Sequence, residues 1–516
     1  MTGHRPYYVT TPIYYVNDSP HIGHAYTTLA CDVLARFKRL DGFDVKFLTG
    51  TDEHGQKVEK SAQAAGIPPQ DFTDRVSQNF RDLARIMGFS NDDFIRTTEP
   101  RHLASCQALW QRLVERGAIY LGKYEGWYSV RDEAFWGEDE LTAGPDGTRL
   151  APTGAPVEWV QEPSYFFRLS DWGGKLLEFY DSHPDFIAPQ SRRNEVVSFV
   201  KGGLQDLSVS RTSFHWGVKV PDDPAHIMYV WLDALTNYIT AVGFPAMDGE
   251  FARFWPADLH MVGKDILRFH AVYWPAFLMA ADLPPPKRVF AHGWWTNEGQ
   301  KISKSLGNVI DPVSLVERYG LDQVRYFLLR EVPFGNDGDF SHRAMVGRIN
   351  SELANDLGNL AQRSLSLIAK NCAGILPQPG PFGEDDQDLL HSAAALLPAL
   401  RDAFDRQQFH EALELVWQVV RAGNGYIDRQ APWALKKTDI ARMGTVLYVL
   451  AETLRRIALL LQPVMPSSMA RMLDQLAVAE GKRSFADFGH SLTAGIALPA
   501  PQGVFPRHVE AEGGAA

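Results

Sequence analysis

The sequence predicts a discontinuous α/β domain built on a parallel sheet, with an inserted connective module inside it and an all-α helical bundle after it. Three observations predict this fold class. Strand, helix and strand patterns follow one another at the N-terminus and again before residue 293. Short Trp- and Tyr-rich strand patterns replace them from Gly117 to Val218. After Ala344, nearly every segment has helical periodicity.

The N-terminal α/β pattern begins with a strand over residues 7–13 and returns to a strand at residues 45–48. Between these strands, apolar side chains recur at three- and four-residue spacing, which predicts an amphipathic helix. They are Ala30, Val33, Leu34, Phe37 and Leu40. Gly42 predicts the end of this helix, because glycine readily adopts the left-handed conformation that closes many helices.

The same alternation returns later in the chain. Residues 259–262 and 289–292 predict buried strands, and residues 266–280 between them predict a helix that tolerates Pro275. In the terminal bundle, the Pro- and Gly-rich stretch 377–383 and the pair Pro463 and Pro466 predict breaks between helices.

Composition and charge restrict the class of protein. With 516 residues, 45% of them hydrophobic, the chain can bury the cores of more than one domain. A net charge of −11 argues against a general nucleic-acid coat but leaves room for a local basic surface. We expect no membrane span, because no run approaches the length of about eighteen apolar residues that one requires. The cysteines form no Cys-x-x-Cys pair and the N-terminus has no targeting pattern, so we expect a cytoplasmic protein.

Two histidines and a glycine lie where the first strand leads into the first helix. They are His21, Gly23 and His24, in the stretch Ser-Pro-His-Ile-Gly-His. Helix N-termini bind anions, glycine lets a ligand approach the backbone, and imidazoles donate hydrogen bonds to phosphate oxygens. On its own, this motif also fits a capping turn with surface histidines or a pair of metal ligands.

A second candidate motif is a glycine-flanked loop with two lysines and two serines, Lys301, Ser303, Lys304 and Ser305. Two ammonium groups on such a loop suit a triphosphate. When a carboxylate attacks the α-phosphate of ATP and pyrophosphate leaves, cations whose contacts strengthen as charge develops lower the barrier. On its own, this motif also fits an ordinary solvated turn.

Together the two motifs resemble the paired signatures of class I aminoacyl-tRNA synthetases. Ile302 stands where the commonest form of the second signature has methionine, an apolar exchange that keeps both lysines and both serines. The resemblance implies a Rossmann-like catalytic domain that binds ATP with Mg²⁺. It also implies that His21, His24, Lys301 and Lys304 act in catalysis, and that Gly23, Ser303 and Ser305 help to bind ATP.

Further stretches at residues 11–15, 49–55, 229–234 and 263–266 resemble methionyl-tRNA synthetases, and the resemblance covers almost the whole chain. It implies a ligase that converts methionine and ATP to methionyl-adenylate and then charges the 3′-terminal ribose of initiator and elongator tRNA(Met). The implied methionine-binding residues are Ile13, Tyr15, Asp52, Trp231, Ala234, Tyr238, Ile266 and His270. A carboxylate suits the substrate ammonium, and an aromatic slot suits a thioether. Core packing is the alternative for Trp231, Tyr238 and Ile266.

Two other functions stay open from the sequence: a non-catalytic tRNA-binding relative, and another class I synthetase. The intact signatures argue against the first. The isoleucyl, valyl and leucyl enzymes resemble this fold but carry a much larger editing insertion, because one methylene distinguishes their substrates by only about 1–3 kcal/mol. A cysteinyl enzyme resembles the same architecture but needs a zinc site held largely by cysteines.

In the inserted module, many methionyl enzymes have Cys-x-x-Cys knuckles, where this chain has Ser129 and Asp132. We therefore expect no structural zinc. We expect the module to be held by hydrogen bonds among Ser129, Arg131 and Asp132, or by its aromatic side chains. The aromatic candidates are Trp127, Tyr128, Phe135, Trp136 and Trp159.

In the helical domain, residues 355–363 and 430–433 resemble the family's anticodon-reading elements. Asn359 and Arg363 are the implied base-edge contacts and Trp433 the implied stacking surface, although each also fits a structural role. The appended dimerisation domain of some relatives is absent, so we expect a monomer. The expected divisions are a catalytic domain of 1–117 and 218–293, a connective module of 118–217, a lysine-loop and stem-contact region of 294–344, an anticodon-binding domain of 345–485 and a tail of 486–516.

Overall fold

The computed structural model describes residues 4–16, 19–132, 134–302 and 307–509. The chain divides into two compact units. The sheet unit comprises residues 6–20 and 46–291, and the helical unit comprises residues 1–5, 21–45 and 292–516. Within the described ranges, no helix is both long enough and apolar enough to cross a membrane.

The strands, in chain order, are β1 Pro6–Thr10, β2 Tyr14–Tyr15, β3 Asp44–Asp52, β4 Asp93–Arg96, β5 Ile119–Ser129, β6 Ala134–Trp136, β7 Thr142–Ala143, β8 Arg149–Leu150, β9 Pro156–Phe167, β10 Ile187–Ala188, β11 Leu207–Ser208, β12 Ser210–Arg211, β13 Lys219–Val220, β14 Asp223–Met228, β15 Leu259–Gly263, β16 Val289–His292, β17 Trp295–Asn297, β18 Gln300–Lys301 and β19 Gly338–Phe340. The α-helices are α1 Ile22–Leu40, α2 Gln56–Ala64, α3 Pro69–Ile86, α4 Pro100–Glu115, α5 Gly173–Ser182, α6 Gln190–Lys201, α7 Val230–Leu235, α8 Asn237–Thr240, α9 Gly249–Phe254, α10 Trp274–Ala280, α11 Pro312–Tyr319, α12 Leu321–Arg330, α13 His342–Arg348, α14 Asn359–Asn371, α15 Glu384–Ala394, α16 Leu396–Asp405, α17 Phe409–Gln430, α18 Pro432–Thr438, α19 Ile440–Leu461 and α20 Pro466–Gln475.

A seven-stranded sheet forms the centre of the sheet unit, in the order β10-β16-β15-β1-β3-β2, with β4 also paired to β3. The pairs β1–β15, β10–β16, β2–β3 and β3–β4 are parallel. Side chains from this sheet, including Tyr8, Leu48, Val262 and Val289, belong to one large apolar core. The predicted parallel α/β architecture is therefore confirmed.

Two predicted elements differ in detail at prolines. The first strand ends at Thr10 instead of residue 13, because Pro12 has no amide hydrogen with which to extend the ladder. The segment predicted as one helix over 266–280 contains a π-helical turn at Phe269–Tyr273 before α10 begins. Pro275 lies in the first turn of α10, where a missing amide hydrogen costs least. The strands β15 and β16 confirm the predictions for 259–262 and 289–292.

In the sequence between β4 and β10 of the central sheet, the chain forms an antiparallel sheet in the order β6-β5-β9-β8-β7. β11, which follows β10 in the sequence, also pairs with β9. Its main ladder joins residues 119–128 of β5 to residues 158–167 of β9. A smaller sheet in the order β12-β14-β13 follows. The change from parallel α/β structure to antiparallel strands agrees with the short Trp- and Tyr-rich strand patterns of the sequence in this region.

The helical unit contains α1, a small sheet in the order β18-β17-β19, and the helices that follow. α1 confirms the predicted amphipathic helix, and Gly42 after it has a positive φ of 85°. The gap between α14 and α15 spans the predicted break at 377–383, and α20 begins at Pro466. A buried ion pair between Arg325 of α12 and Asp32 of α1, at 2.6 Å, lies in the core of this unit.

Candidate active site

Two histidines cap the N-terminus of α1 reciprocally. Nδ1 of His21 accepts a hydrogen bond from the amide of Gly23 at 3.0 Å. Nδ1 of His24 accepts one from the amide of His21, also at 3.0 Å. Such a box satisfies two of the amide donors that every helix leaves at its N-terminus. The amide of Ile22 is a third, and it donates to the carbonyl of Ile310 at 3.1 Å.

The cap determines which nitrogen of each imidazole carries the proton. Because both Nδ1 atoms accept hydrogen bonds, each neutral ring bears its proton on Nε2. Burial, and then the neighbouring His21 ring at 4.0 Å, hold the pKa of His24 well below its usual range. His24 is therefore neutral at physiological pH and has an Nε2–H donor.

The capped helix end borders a cavity of about 270 Å³ within the helical unit. Its lining brings together both candidate motifs. The lining residues are His21, Ile22, Gly23, Tyr26, His292, Gly293, Trp294, Trp295, Lys301 and Ile302. A Cβ on Gly23 would lie 2.9 Å from Cε1 of His21, so glycine is what the capping ring requires at this position.

Lys301 lies on a hairpin whose base is fixed by side-chain hydrogen bonds. β17 and β18 pair antiparallel, so that Thr296 faces Lys301. Nδ2 of Asn308 donates to the carbonyl of Lys301 at 3.0 Å, and Nδ2 of Asn297 donates to the carbonyl of Asn308 at 2.9 Å. The lysine side chain itself is exposed. Ser303, Lys304 and Ser305, which the sequence also assigns to ATP, lie outside the described residues.

The predicted methionine residues lie in the sheet unit, where Tyr238 and His270 form a buried polar pair. The Tyr238 hydroxyl is 2.7 Å from Nε2 of His270, and Nδ1 of His270 is 2.9 Å from the carbonyl of Ile266. Burial lowers the pKa of His270 to about 4, so the ring is neutral. Its Nδ1–H therefore donates to Ile266, and its Nε2 accepts from Tyr238.

Most of the other predicted methionine residues are aromatic or apolar side chains of the same unit. Tyr238 stacks on His260 with ring centroids 4.1 Å apart, and Trp231 stacks on Phe269 at 3.3 Å. Ile13, Trp231 and Ile266 are partly buried and pack against the same apolar core as Tyr238. Ala234 is buried in α7, three residues after Trp231. Their side chains are of the aromatic and apolar kinds that contact a thioether favourably.

Asp52 and Tyr15 meet in the central sheet, where they are register partners in the parallel pair β2–β3. Asp52 is the last residue of β3 and is 6% exposed. The Tyr15 hydroxyl donates to the carbonyl of His54 at 3.2 Å. Asp52 thus lies at the carboxyl end of a parallel strand, which is where ligand-binding residues usually lie in an open α/β sheet.

Several polar residues of the sheet unit were not predicted. Arg211 is 2% exposed, and its Cζ lies 3.9 Å from the ring centroid of Tyr229 and 4.5 Å from that of Phe135. Glu53 is fully buried and accepts two hydrogen bonds from Arg96, at 2.7 and 2.9 Å. A single arginine in a strand pattern has no local sequence signal, whereas Glu53 lies next to Asp52 in the 49–55 stretch that resembles the family.

A cluster of His102, Cys106 and Asp233 offers ligand types that transition metals accept, with their ligand atoms all within 4.8 Å of one another. Nε2 of His102 is only 2.7 Å from Oδ1 of Asp233. Two ligands of one tetrahedral zinc, each about 2.0–2.1 Å from it, lie about 3.3 Å apart. The cluster therefore has hydrogen-bond geometry instead of metal-site geometry.

The hydrogen bonds predicted to hold the inserted module are present. The amide of Asp132 donates to Oγ of Ser129 at 3.1 Å, and Nε of Arg131 donates to Oδ1 of Asp132 at 3.1 Å. Thr153 also bonds to Asp132. Aromatic pairs add to these contacts: Trp127 with Trp159 at 5.4 Å, and Tyr128 with Phe135 at 4.6 Å.

In the helical unit, two of the three predicted anticodon residues meet. Cζ of Arg363 lies 5.4 Å from the ring centroid of Trp433, which is 41% exposed. Nη2 of Arg363 also donates to Asp428 at 2.6 Å. Asn359 is exposed at the start of α14, one helical turn before Arg363. An exposed indole beside a guanidinium has the composition of a base-stacking surface.

The parallel α/β sheet, the histidine-capped helix and the lysine hairpin define a class I aminoacyl-tRNA synthetase. The family model "tRNA synthetases class I (M)" matches residues 7–365, and the model "Anticodon binding domain of methionyl tRNA ligase" matches residues 376–513. Together these matches cover both the sheet unit and the terminal helices.

Full-length relatives narrow the class to one family. Methionine–tRNA ligase of Brucella suis is 60% identical over 507 residues, with 98% of each chain covered, and that of Mycobacterium bovis is 58% identical over 510 residues, with 98% of each chain covered. A structure of Mycobacterium tuberculosis methionyl-tRNA synthetase in complex with methionyl-adenylate has a TM-score of 0.95 at 57% identity, covering 98% of this chain and 100% of that one. The chain belongs to the methionyl-tRNA synthetase family, whose members are ATP-dependent ligases that activate methionine and charge tRNA with it.

Proposed function

We propose that this chain charges initiator and elongator tRNA(Met) with methionine by way of methionyl-adenylate, acting as a monomer in the cytoplasm. The observation that carries the proposal is the reciprocal cap of His21 and His24. It assigns the proton of each ring to Nε2 at a helix N-terminus, and His21 lines a cavity that Lys301 also lines. Neutral donors, a helix dipole and an ammonium group together suit a polyphosphate.

In the first step, the methionine carboxylate attacks the α-phosphorus of ATP, and the bond to pyrophosphate breaks. His21 and His24 donate to phosphate oxygens, and Gly23 lets the nucleotide approach the backbone. Lys301 and Lys304 stabilise the charge that develops on the leaving pyrophosphate, while Ser303 and Ser305 donate to the triphosphate. The nucleotide substrate would be ATP with Mg²⁺, whose charge would offset part of the negative charge of the phosphates. Positioning and electrostatics suffice, so no protein nucleophile is required.

Methionine recognition rests on two different chemistries. The Asp52 carboxylate pairs with the substrate ammonium, and Tyr15 shapes the same end of the pocket. The thioether lies among Ile13, Trp231, Ala234, Tyr238, Ile266 and His270. Because His270 is neutral and accepts from Tyr238, the slot presents polarizable rings and no net charge to the sulfur. A charged or strongly polar side chain would lose its hydration there without compensation.

In the second step, a hydroxyl of the terminal ribose of tRNA attacks the carbonyl carbon of methionyl-adenylate. An ester bond to methionine forms, the bond to the phosphate breaks, and AMP leaves. Asn359 and Arg363 read base edges of the anticodon, and Trp433 stacks on a splayed base. The exposure of Trp433 and its contact with Arg363 support this assignment.

We also propose that the inserted module folds without zinc. Ser129 and Asp132 stand at the positions where many relatives have knuckle cysteines. The hydroxyl of Ser129 accepts a hydrogen bond from the amide of Asp132, and the carboxylate of Asp132 accepts one from Nε of Arg131. A serine hydroxyl is a poor substitute for a thiolate as a zinc ligand. A metal analysis of the purified protein that found one zinc per chain would contradict this proposal.

The function is tested by methionine-dependent exchange of labelled pyrophosphate into ATP, followed by charging of both tRNA(Met) species. Isoleucine, leucine, valine and cysteine serve as comparison substrates. We expect exchange with methionine alone and charging of both tRNAs. Exchange with another amino acid would overturn the pocket assignment, and tRNA binding without exchange would identify a non-catalytic relative.

A further inference from the structure

Asp233 is a fully buried carboxylate inside the helix that carries two proposed methionine contacts. In α7, Trp231 lies two residues before Asp233 and Ala234 lies directly after it. Asp233 is 0% exposed. An ionised carboxylate in such a place requires hydrogen bonds to both oxygens, because burial removes its hydration. None of the roles proposed above uses this residue.

Two imidazoles, one from the segment between β3 and α2 and one from α4, bond to the two oxygens of Asp233. Nδ1 of His54 lies 2.6 Å from Oδ2, and Nε2 of His102 lies 2.7 Å from Oδ1. Burial by itself would raise the pKa of Asp233, but the two imidazoles hold it well below the usual range of an aspartate. The carboxylate is therefore ionised, and both histidine nitrogens act as donors.

His54 belongs to the segment that presents Asp52, and other bonds fix that segment in place. The indole Nε1 of Trp216 donates to the carbonyl of Glu53 at 2.6 Å, and the amide of Gly55 donates to the carbonyl of Trp216 at 3.0 Å. The hydroxyl of Tyr15 donates to the carbonyl of His54 at 3.2 Å. The backbone after β3 is thus held firmly, and the His54 side chain joins it to α7.

We infer that Asp233 is a positioning residue that sets the distance between Asp52 and the apolar wall formed by Trp231 and Ala234. This inference rests on the proposed methionine pocket. Methionine is held there by its ammonium at one end and its thioether at the other, so the separation of the two contacts must match the length of the side chain. Misplacement of a contact by about 1 Å costs up to about 100-fold in reaction rate. Asp233 therefore governs affinity for methionine and discrimination by side-chain length.

The test is Asp233→Asn, which keeps the volume but turns one acceptor oxygen into an NH₂ group facing an imidazole N–H. In the pyrophosphate exchange assay, we expect the KM for methionine to rise about 10- to 100-fold while the KM for ATP changes less than about 2-fold. Preference for methionine over ethionine, which is one methylene longer, should weaken.

A second pair of variants separates the hydrogen bond from the bulk of the side chain. An asparagine amide places its nitrogen close to the position of a histidine Nδ1, so His54→Asn keeps a donor to Asp233. We expect His54→Asn to retain most of the methionine affinity and His54→Ala to lose it, as Asp233→Asn does. This pair also tests the inference if Asp233→Asn does not fold. Equal losses in His54→Asn and His54→Ala would overturn it.

Asp206→Asn is the matched control. The Asp206 carboxylate also accepts several hydrogen bonds, from Tyr120 at 2.7 Å and from Oγ of Ser170 at 2.6 Å, but it belongs to the inserted module. We expect its methionine KM to equal that of the unmodified chain. If Asp206→Asn and Asp233→Asn raise the KM for methionine and ATP alike, Asp233 has only a general structural role and the inference fails.

Tyr238→Phe distinguishes failure of this inference from failure of the pocket. If Tyr238→Phe raises the methionine KM and Asp233→Asn does not, the pocket stands and the positioning role of Asp233 is refuted. If neither variant changes the methionine KM, the proposed pocket is itself wrong, and the inference falls with it.

Discussion

Replacing Gly23 with alanine should abolish most of the activity while leaving the stability of the protein nearly unchanged. The added Cβ would lie 2.9 Å from Cε1 and 3.1 Å from Nδ1 of His21. Ordinary contacts between carbon atoms are about 3.5–4.0 Å, so the imidazole must retreat by roughly 0.6 Å or more. The hydrogen bond from Gly23 to His21, now 3.0 Å long, would then be lost.

The expected magnitudes differ between stability and catalysis. Loss of a helix cap costs about 1 kcal/mol, and alanine in place of glycine within a helix returns about 0.5–1 kcal/mol. These two effects nearly cancel in the free energy of unfolding. Displacing a preorganised donor from the developing negative charge costs about 10²- to 10³-fold in kcat, equivalent to about 2.7–4 kcal/mol.

The assay is methionine-dependent pyrophosphate exchange, measured together with thermal unfolding. We expect a loss of about 100-fold or more in kcat, an unchanged KM for methionine and a melting temperature within a few degrees of the original. Gly347→Ala in α13 is the matched control, because a Cβ at Gly347 would meet no atom within 4 Å. Full activity in Gly23→Ala would refute the role of the histidine cap. So would a change confined to the methionine KM.

Three further predictions concern other parts of the molecule. The pKa of His270 is about 4 in the folded chain and about 6.5 in the unfolded chain. As the pH falls, the unfolded state therefore takes up a proton first, and the stability of the fold declines between pH 6.5 and 4. Urea unfolding should show that, between pH 7 and pH 5, the free energy of unfolding of His270→Gln falls by about 2 kcal/mol less than that of the unmodified chain. Equal decreases in the two proteins would show that His270 is not held neutral. Arg325→Met should lower the free energy of unfolding by about 3 kcal/mol, because it leaves Asp32 buried without this partner. Adding Asp32→Leu should recover most of that loss. If Arg325→Met alone is as stable as the unmodified chain, the pairing is contradicted. Trp433→Ala should raise the KM for tRNA about 10-fold without affecting pyrophosphate exchange. Trp159→Ala, which removes a similarly exposed indole, should change neither quantity. Equal rates of tRNA charging by the two variants would argue against base stacking at Trp433.

The local part of the fold was predictable from the sequence because helices and strands have their own periodicities. The spacing of Leu34 and Phe37 predicts α1, and the apolar run at 259–262 predicts β15. The misplaced details lie at prolines, since β1 ends two residues before Pro12 and Pro275 lies in the first turn of α10, which follows a π-helical turn. Proline acts through one missing amide hydrogen, and its consequence depends on which bond that position would otherwise make.

The motifs also predicted which residues should come together, and the cavity that joins His21 to Lys301 agrees with that expectation. The hydrogen bonds that orient these groups were not predictable. Nothing in the order of residues shows that the Nδ1 atoms of His21 and His24 face backward into the cap, which assigns their protons to Nε2. The side-chain rotamer decides this, and packing around the helix end selects the rotamer.

The sequence by itself determined the α/β and helical classes of the two halves, the two nucleotide signatures and the family, because these depend on local spacing and on short runs of specific residues. Only the tertiary structure decided how polar groups are satisfied inside the core. Asp233 meets His54 across 179 positions and His102 across 131, and Arg325 meets Asp32 across 293. Such pairs have no local pattern, because a buried charge can be stabilised by any donor that the folded chain brings within hydrogen-bond distance.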